Sequence, residues 1–122
     1  MNELIKQIRD LLRVNDTEQS FYDTNNSKVV IYPYMTYSVD TEWYSNSTDE
    51  GTVDIDIFDN IQSYERIITL EQLIKDKFRL ASFGYENFIL RIDYVRSNTI
   101  PTADPLIKRR TVQMHIKVDW RN

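Results

Sequence analysis

The chain has no cysteine, only two glycines and three prolines, and a single histidine among its 122 residues. Without cysteine there is neither a disulfide framework nor a thiolate metal site, and the composition fits a reducing compartment. Two glycines cannot build the Gly-rich loops that cradle phosphates, and neither G-x-S-x-G nor H-E-x-x-H occurs. No apolar run approaches the roughly 18 residues of a membrane-spanning helix. Charges interrupt the opening MNELIKQIRD before any apolar stretch can form, so no secretory signal is expected and residence in the cytoplasm is. Positive charge is short as well: 15 Lys and Arg stand against 19 Asp and Glu, a net charge of −4. That balance argues against strong non-specific nucleic-acid binding, which depends on neutralising phosphates, although it leaves room for a local basic patch.

What remains is an ordinary globular composition, 41% hydrophobic and 28% charged, with eight Tyr supplying much of the large apolar surface. The length suits one domain spanning 1–122. Residues Asn2 to Val14 place Leu4, Ile5, Ile8, Leu11 and Leu12 on one helical face, with Lys6, Arg9, Asp10 and Arg13 on the other. Asn15 and Asp16 can end this helix, because both compete for backbone hydrogen bonds. The polar stretch to Lys28 reads as a surface loop anchored by Phe21 and Tyr22. A strand is expected from Val29 to about Val39, with Pro33 marking an edge, a bulge or a break. Asp40 to Gly51 reads as the polar end of a long hairpin, and Thr52 to Phe58 as its return, where Val53, Ile55 and Ile57 alternate with Asp54 and Asp56.

Asp59 or Asn60 can cap a second helix from Ile61 to about Leu80, the strongest helical pattern in the chain. Beyond Gly84, Phe88, Leu90, Ile92 and Tyr94 alternate with Ile89, Arg91, Asp93 and Val95. A proline-bearing loop is expected from Ser97 to Leu106, followed by a strand from Lys108 to Trp120. The predicted fold class is α+β: an antiparallel or mixed sheet of about four strands, two helices on its apolar face, in the order α-β-β-α-β-β.

Few residues suggest chemistry. Asp54-x-Asp56, with Asp59 and Asp93, presents carboxylates that a hard cation would accept, but Arg91 and Lys117 on the same sheet face make cross-strand charge pairs the simpler account. His115 is expected on the polar face of a strand, with no orienting base or nucleophile evident. The expectation is therefore no catalytic residue, no metal and no cofactor. Two features fit contacts with other proteins. Trp43 and Tyr44 stand in an otherwise polar, acidic stretch, either as interface anchors or packed back on the sheet. Lys108, Arg109 and Arg110 form the one basic run, either solvated or facing an acidic partner.

Several of these features occur together in one known family. An amphipathic N-terminal helix leads to a strand with a Tyr-Pro-Tyr-x-Thr-Tyr motif (Tyr32 to Tyr37). A polar hairpin, the alternating VDIDIFD (Val53 to Asp59) and the Tyr-bearing NIQSYERIITLEQLIKDKF come next. From about Val29 to Trp120 the chain resembles the tail-terminator and tail-completion proteins (head-to-tail joining, minor capsid proteins) of long-tailed bacteriophages. The resemblance implies a homo-hexameric ring in the virion, assembled in the host cytoplasm. Such a ring ends tail-tube polymerisation, contacts the tube protein and the head–tail connector proteins, and lets DNA pass through its channel. It implies no enzyme activity and no membrane. It maps no functional residue, only regions: Asp40–Gly51 and Ser97–Arg110 are the expected ring and neck contacts. The rival readings are another head–tail connector, a small nuclease using the Asp cluster, and a small host-targeting inhibitor.

Overall fold

The computed structural model describes residues 2–12, 20–22, 32–45 and 47–121. Its elements, in chain order, are α1 (Asn2–Leu11), β1 (Ser20–Tyr22), β2 (Tyr34–Ser45), β3 (Thr48–Asp59), α2 (Glu65–Phe78), β4 (Ala81–Gly84), β5 (Phe88–Thr99) and β6 (Lys108–Trp120). The strands form one six-stranded sheet in the order β1-β2-β3-β6-β5-β4. β1 runs parallel to β2, and every other pairing is antiparallel.

The period of two in the four long strands decides which face is buried. Met35, Tyr37 and Val39 of β2, Val53, Ile55 and Ile57 of β3, Phe88, Leu90 and Ile92 of β5, and Val112, Met114, Ile116 and Val118 of β6 all point inward. The register carries this apolar set across the strands, with Tyr37 opposite Ile55 and Ile55 opposite Val112. Both helices cover this inner face. α1 contributes Leu4 and Ile8, with Leu12 just beyond it, and α2 contributes Ile67, Leu70, Ile74 and Phe78. The Tyr37 hydroxyl donates to the Ile5 carbonyl at 3.3 Å, and Lys77 Nζ donates to the Leu11 carbonyl at 2.6 Å, tying α1 to the sheet and to α2. Each fully buried Ile or Leu is worth about 1.5–3 kcal/mol, which makes this face the main source of stability.

The α+β class and the four long strands agree with expectation; the strand count and several boundaries differ. β1 and β4 bring the sheet to six strands. Each is too short to show alternation, and each is held by pairing to a long neighbour: Phe21 lies opposite Thr36, and Ser82 opposite Arg91. β2 and β3 run through the segment expected to be a polar turn, so the turn lies between Ser45 and Thr48 and Gly51 sits inside a strand. A Cβ on Gly51 would lie 1.9 Å from the Asp40 carbonyl oxygen, so glycine there permits close approach of β2 and β3.

α2 begins at Glu65, four residues later than Ile61. Asp59 is not its cap: its carboxylate is fully buried and accepts from the Arg66 guanidinium and the Asn60 amide. Ser63 Oγ instead accepts the Glu65 amide at 3.0 Å. The helix stops at Phe78 because Arg79 is extended and Leu80 has a φ of 49°. β5 continues to Thr99, three residues into the expected loop. The expected strand start at Val29–Ile31, the helix end at Arg13–Val14, most of the polar loop, and the side chains of Phe21 and Tyr22 lie outside the described residues. The Tyr32–Pro33 peptide is cis and immediately precedes β2.

Candidate functional site

The outer face of the sheet carries the polar residues of the four long strands, and no described helix covers it. Its charges are polarised across the strands. One cross-strand row reads Glu42, Glu50, Lys117, Arg91 from β2 through β3 and β6 to β5, two acids followed by two bases. The asymmetry begins in the sequence: residues 29–65 hold eight Asp and Glu with no Lys or Arg, whereas residues 66–122 hold eleven Lys and Arg against six Asp and Glu. Because β3 pairs with β6 in the middle of the sheet, the acidic hairpin occupies one side and the basic strands the other.

Some of these charges are used inside the subunit. Arg110 lies on the inner face, opposite Ile57, and grips the buried Glu71 of α2 with two bonds of 2.9 and 3.0 Å. That pairing holds the Arg110 guanidinium above its ordinary range. Arg109 lies on the outer face, bonded to Asp56 at 3.2 Å and stacked over the Phe58 ring. Lys108 sits over Tyr64. The basic run, read from the sequence as either solvated or facing an acidic partner, therefore splits between two faces, and each member has a contact inside the chain.

The proposed carboxylate cluster splits in the same way. Asp54 and Asp56 face outward, Asp59 faces inward to Arg66, and Asp93 lies two strands away opposite His115. Among the described residues no three Asp, Glu, His or Cys side chains are arranged to hold a metal ion. Asp56 pairs with Arg109 and Thr111, not with Arg91 or Lys117, because the register sets it opposite Thr111. Arg91 instead meets Asp119 at 3.4 Å. Burial first, then the carboxylates of Asp40 and Asp56, push the Asp54 carboxyl above its ordinary range.

Other charges have no such use. Asp40, Glu42 and Glu50 make no ion pair with a described residue. Glu42 directly faces Glu50, an arrangement that costs stability in isolation. Trp43, 72% exposed, falls on the other face, opposite Asp49, and Tyr44, 58% exposed, lies with its ring 5.2 Å from Lys117 Nζ. Of the two readings open for this pair, Tyr44 lies back over the sheet towards Lys117, while Trp43 is left exposed.

On the opposite side of the sheet, a cavity of ≈ 270 Å³ opens on the outer face. Leu80 and Ala81 give it an apolar side, and Arg91, Lys117, His115 and Asp93 line it with charges of both signs. Leu80 is 81% exposed. This cavity escaped the sequence reading because its residues come from β4, β5, β6 and the turn before β4. The sequence signal nearest to it was an apolar residue stranded between Arg79 and Ala81.

No family model matches the chain, and no curated protein matches it in sequence. Solved structures do match. A chain from the virion of a native gene transfer agent particle aligns over 92% of this chain and 91% of its own, with a TM-score of 0.73 and 11% identity. A second solved protein, known only by a serial designation, aligns over 100% of this chain and 98% of its own, with a TM-score of 0.69 and 11% identity. At that identity the likeness is one of fold, and it extends over nearly the whole chain in both cases.

Proposed function

We propose that this chain is a structural protein of a phage-like virion, placed at the head-proximal end of the tail as a tail terminator. In this reading copies of the chain form a ring, six to a turn, that stops growth of the tail tube. The ring contacts the tube protein on one side and the connector of the head on the other, and DNA passes through its centre. The chain acts by assembly, with no catalytic role and no cofactor. The observation that carries the reading is the shared fold with a chain of the gene transfer agent virion, over nearly the full length of both. The finer assignment is supported by the sequence resemblance to tail terminators: the VDIDIFD segment that carries it forms the second half of β3, and the NIQSYERIITLEQLIKDKF segment contains α2.

The test is genetic and made on particles. Deleting the gene from its genome is expected to leave unjoined heads, together with tubes of irregular length, and an antibody label should mark one end of wild-type tails. Normal particles without the protein would refute the reading. Joined heads and tails of normal length, with the label on the head alone, would favour a head-side connector.

A further inference from the structure

The sheet ends at β4, which pairs with β5 on one side. The Tyr85 amide donates to the Phe88 carbonyl at 2.8 Å, which makes Tyr85 and Phe88 a hydrogen-bonded pair of the β4–β5 hairpin. Hydrogen-bonded and non-bonded pairs alternate along an antiparallel ladder. Phe83 and Ala81 therefore spend their backbone groups on Leu90 and Ile92, while the N–H and C=O of Ser82 and Gly84 point away from β5. Both residues are exposed, so this edge is open to solvent. Natural proteins blunt open edges with lysine, proline or a bulge, and Ala81–Gly84, which reads ASFG, has none of these. The strand is short, which limits the strength of any pairing but leaves its register defined.

The geometry points to a two-fold contact between two copies of this chain, in which β4 pairs antiparallel with β4 of the second copy about an axis at Phe83. Residues opposite one another must share a sheet face and a hydrogen-bonding phase. Both conditions are met when Ser82 of each copy stands opposite Gly84 of the other, each pair exchanging two backbone bonds. Phe83 then faces its own counterpart in the close, non-bonded position, where cross-strand aromatic pairs are favourable. Its half-buried ring is already packed on the inner face, edge-on to Phe78 with centroids 6.1 Å apart. The charges agree with this register. Arg79 precedes the strand and Glu86 follows it; both are exposed, and neither makes an ion pair with a described residue. Antiparallel pairing brings each of them near the other across the axis, once on either side. Leu80, 81% exposed, lies at the same junctions. One segment thus supplies both halves of the match, which favours a second copy over an unrelated strand as the occupant. The contact is isologous and closes after two copies. It goes beyond the ring reading, since a ring of six needs another surface, and it describes the chain free of the particle.

The experiment uses the full chain and reads amide hydrogen exchange residue by residue, in dilute solution and at concentrations where sedimentation velocity shows a dimer. Ser82 and Gly84 should exchange freely when dilute and at least about tenfold more slowly in the dimer, whereas Phe83, bonded within the subunit, should be protected in both. Ser82→Pro removes an N–H that the folded subunit does not use, at an edge where proline is tolerated. Its urea midpoint should stay close to that of wild type, while association weakens at least about tenfold. The charges give an independent readout. Arg79→Glu or Glu86→Lys alone should weaken association, and the double variant should recover part of the loss, because both copies then carry the exchanged pair. Exchange at Ser82 and Gly84 that ignores concentration, or a dimer unmoved by Ser82→Pro, would overturn the contact. Wild-type monomer at every concentration would also overturn it and leave the edge to a strand of another protein. None of these results bears on the particle test, which judges the tail-end role by itself.

Discussion

The two halves of the sheet are held together by different means, and the difference separates internal from unspent interactions. The β2–β3 hairpin relies on its backbone ladder and on close approach at Gly51, while its Asp40, Glu42 and Glu50 make no ion pair with a described residue. The β5–β6 side ties its cations down: Arg110 to Glu71, Arg109 to Asp56, Arg91 to Asp119. One half thus keeps an acidic surplus, and the other spends most of its cations within the subunit. A folded subunit with internal pairing on one side and leftover charge on the other is suited to meeting a partner.

Mutations at these places should break the comparison in graded steps. The largest effect is expected at Gly51→Ala, where the new Cβ meets the Asp40 carbonyl across the ladder. Loss of about 3 kcal/mol, read from urea denaturation, would show that backbone proximity holds the acidic half. Arg110→Ala should cost about 2–3 kcal/mol, because it leaves the buried Glu71 carboxylate unpaired. The double change Glu71→Leu with Arg110→Met should restore much of that loss, which a purely steric role for Arg110 would not allow.

Asp54→Asn tests the acidic half from the other direction. The folded-state pKa of Asp54 is raised, so the folded chain takes up that proton more readily than the unfolded one. Its carboxylate therefore costs stability at neutral pH, and the cost disappears as pH falls through the raised value. The variant should be more stable than wild type by a few tenths of a kcal/mol at neutral pH. Urea midpoints measured at decreasing pH should converge below the ordinary Asp range; a gain that persisted there would point to a cause other than charge. The smallest effect on stability belongs to Trp43→Ala, within about 0.5 kcal/mol of wild type, since its ring is 72% exposed. A large loss would mean that Trp43 supports the fold.

Much of the fold was legible before the structure. Alternation in Val53–Ile57 and Val112–Trp120, and the helical stripe through Ile67, Ile74 and Phe78, identified the long strands and α2, because side-chain period is a local property. β1 and β4 were not legible, since three or four residues show no period and exist as strands only through their neighbours. The first turn of the expected second helix was lost for a related reason. Asp59 reads as a cap by type, yet its position at the buried end of β3 gives its carboxylate to Arg66.

The candidate surface was legible in part. Trp43 and Tyr44 stood out as large aromatics in a polar stretch, and the structure leaves both exposed. Arg109 and Arg110 also stood out, but adjacent residues of a strand point to opposite faces. Only the register with β3 and the placement of α2 decided that one meets Asp56 and the other Glu71.

The sequence by itself determined the class of fold, the buried face of each long strand and the acidic bias of residues 29–65, because periodicity and composition are carried by the chain locally. The tertiary structure alone decided the strand order, which charges neutralise one another, and the cavity that joins Leu80 to Arg91 and Lys117. Those depend on residues far apart in the chain meeting across a ladder, and no local pattern encodes which strand becomes a neighbour.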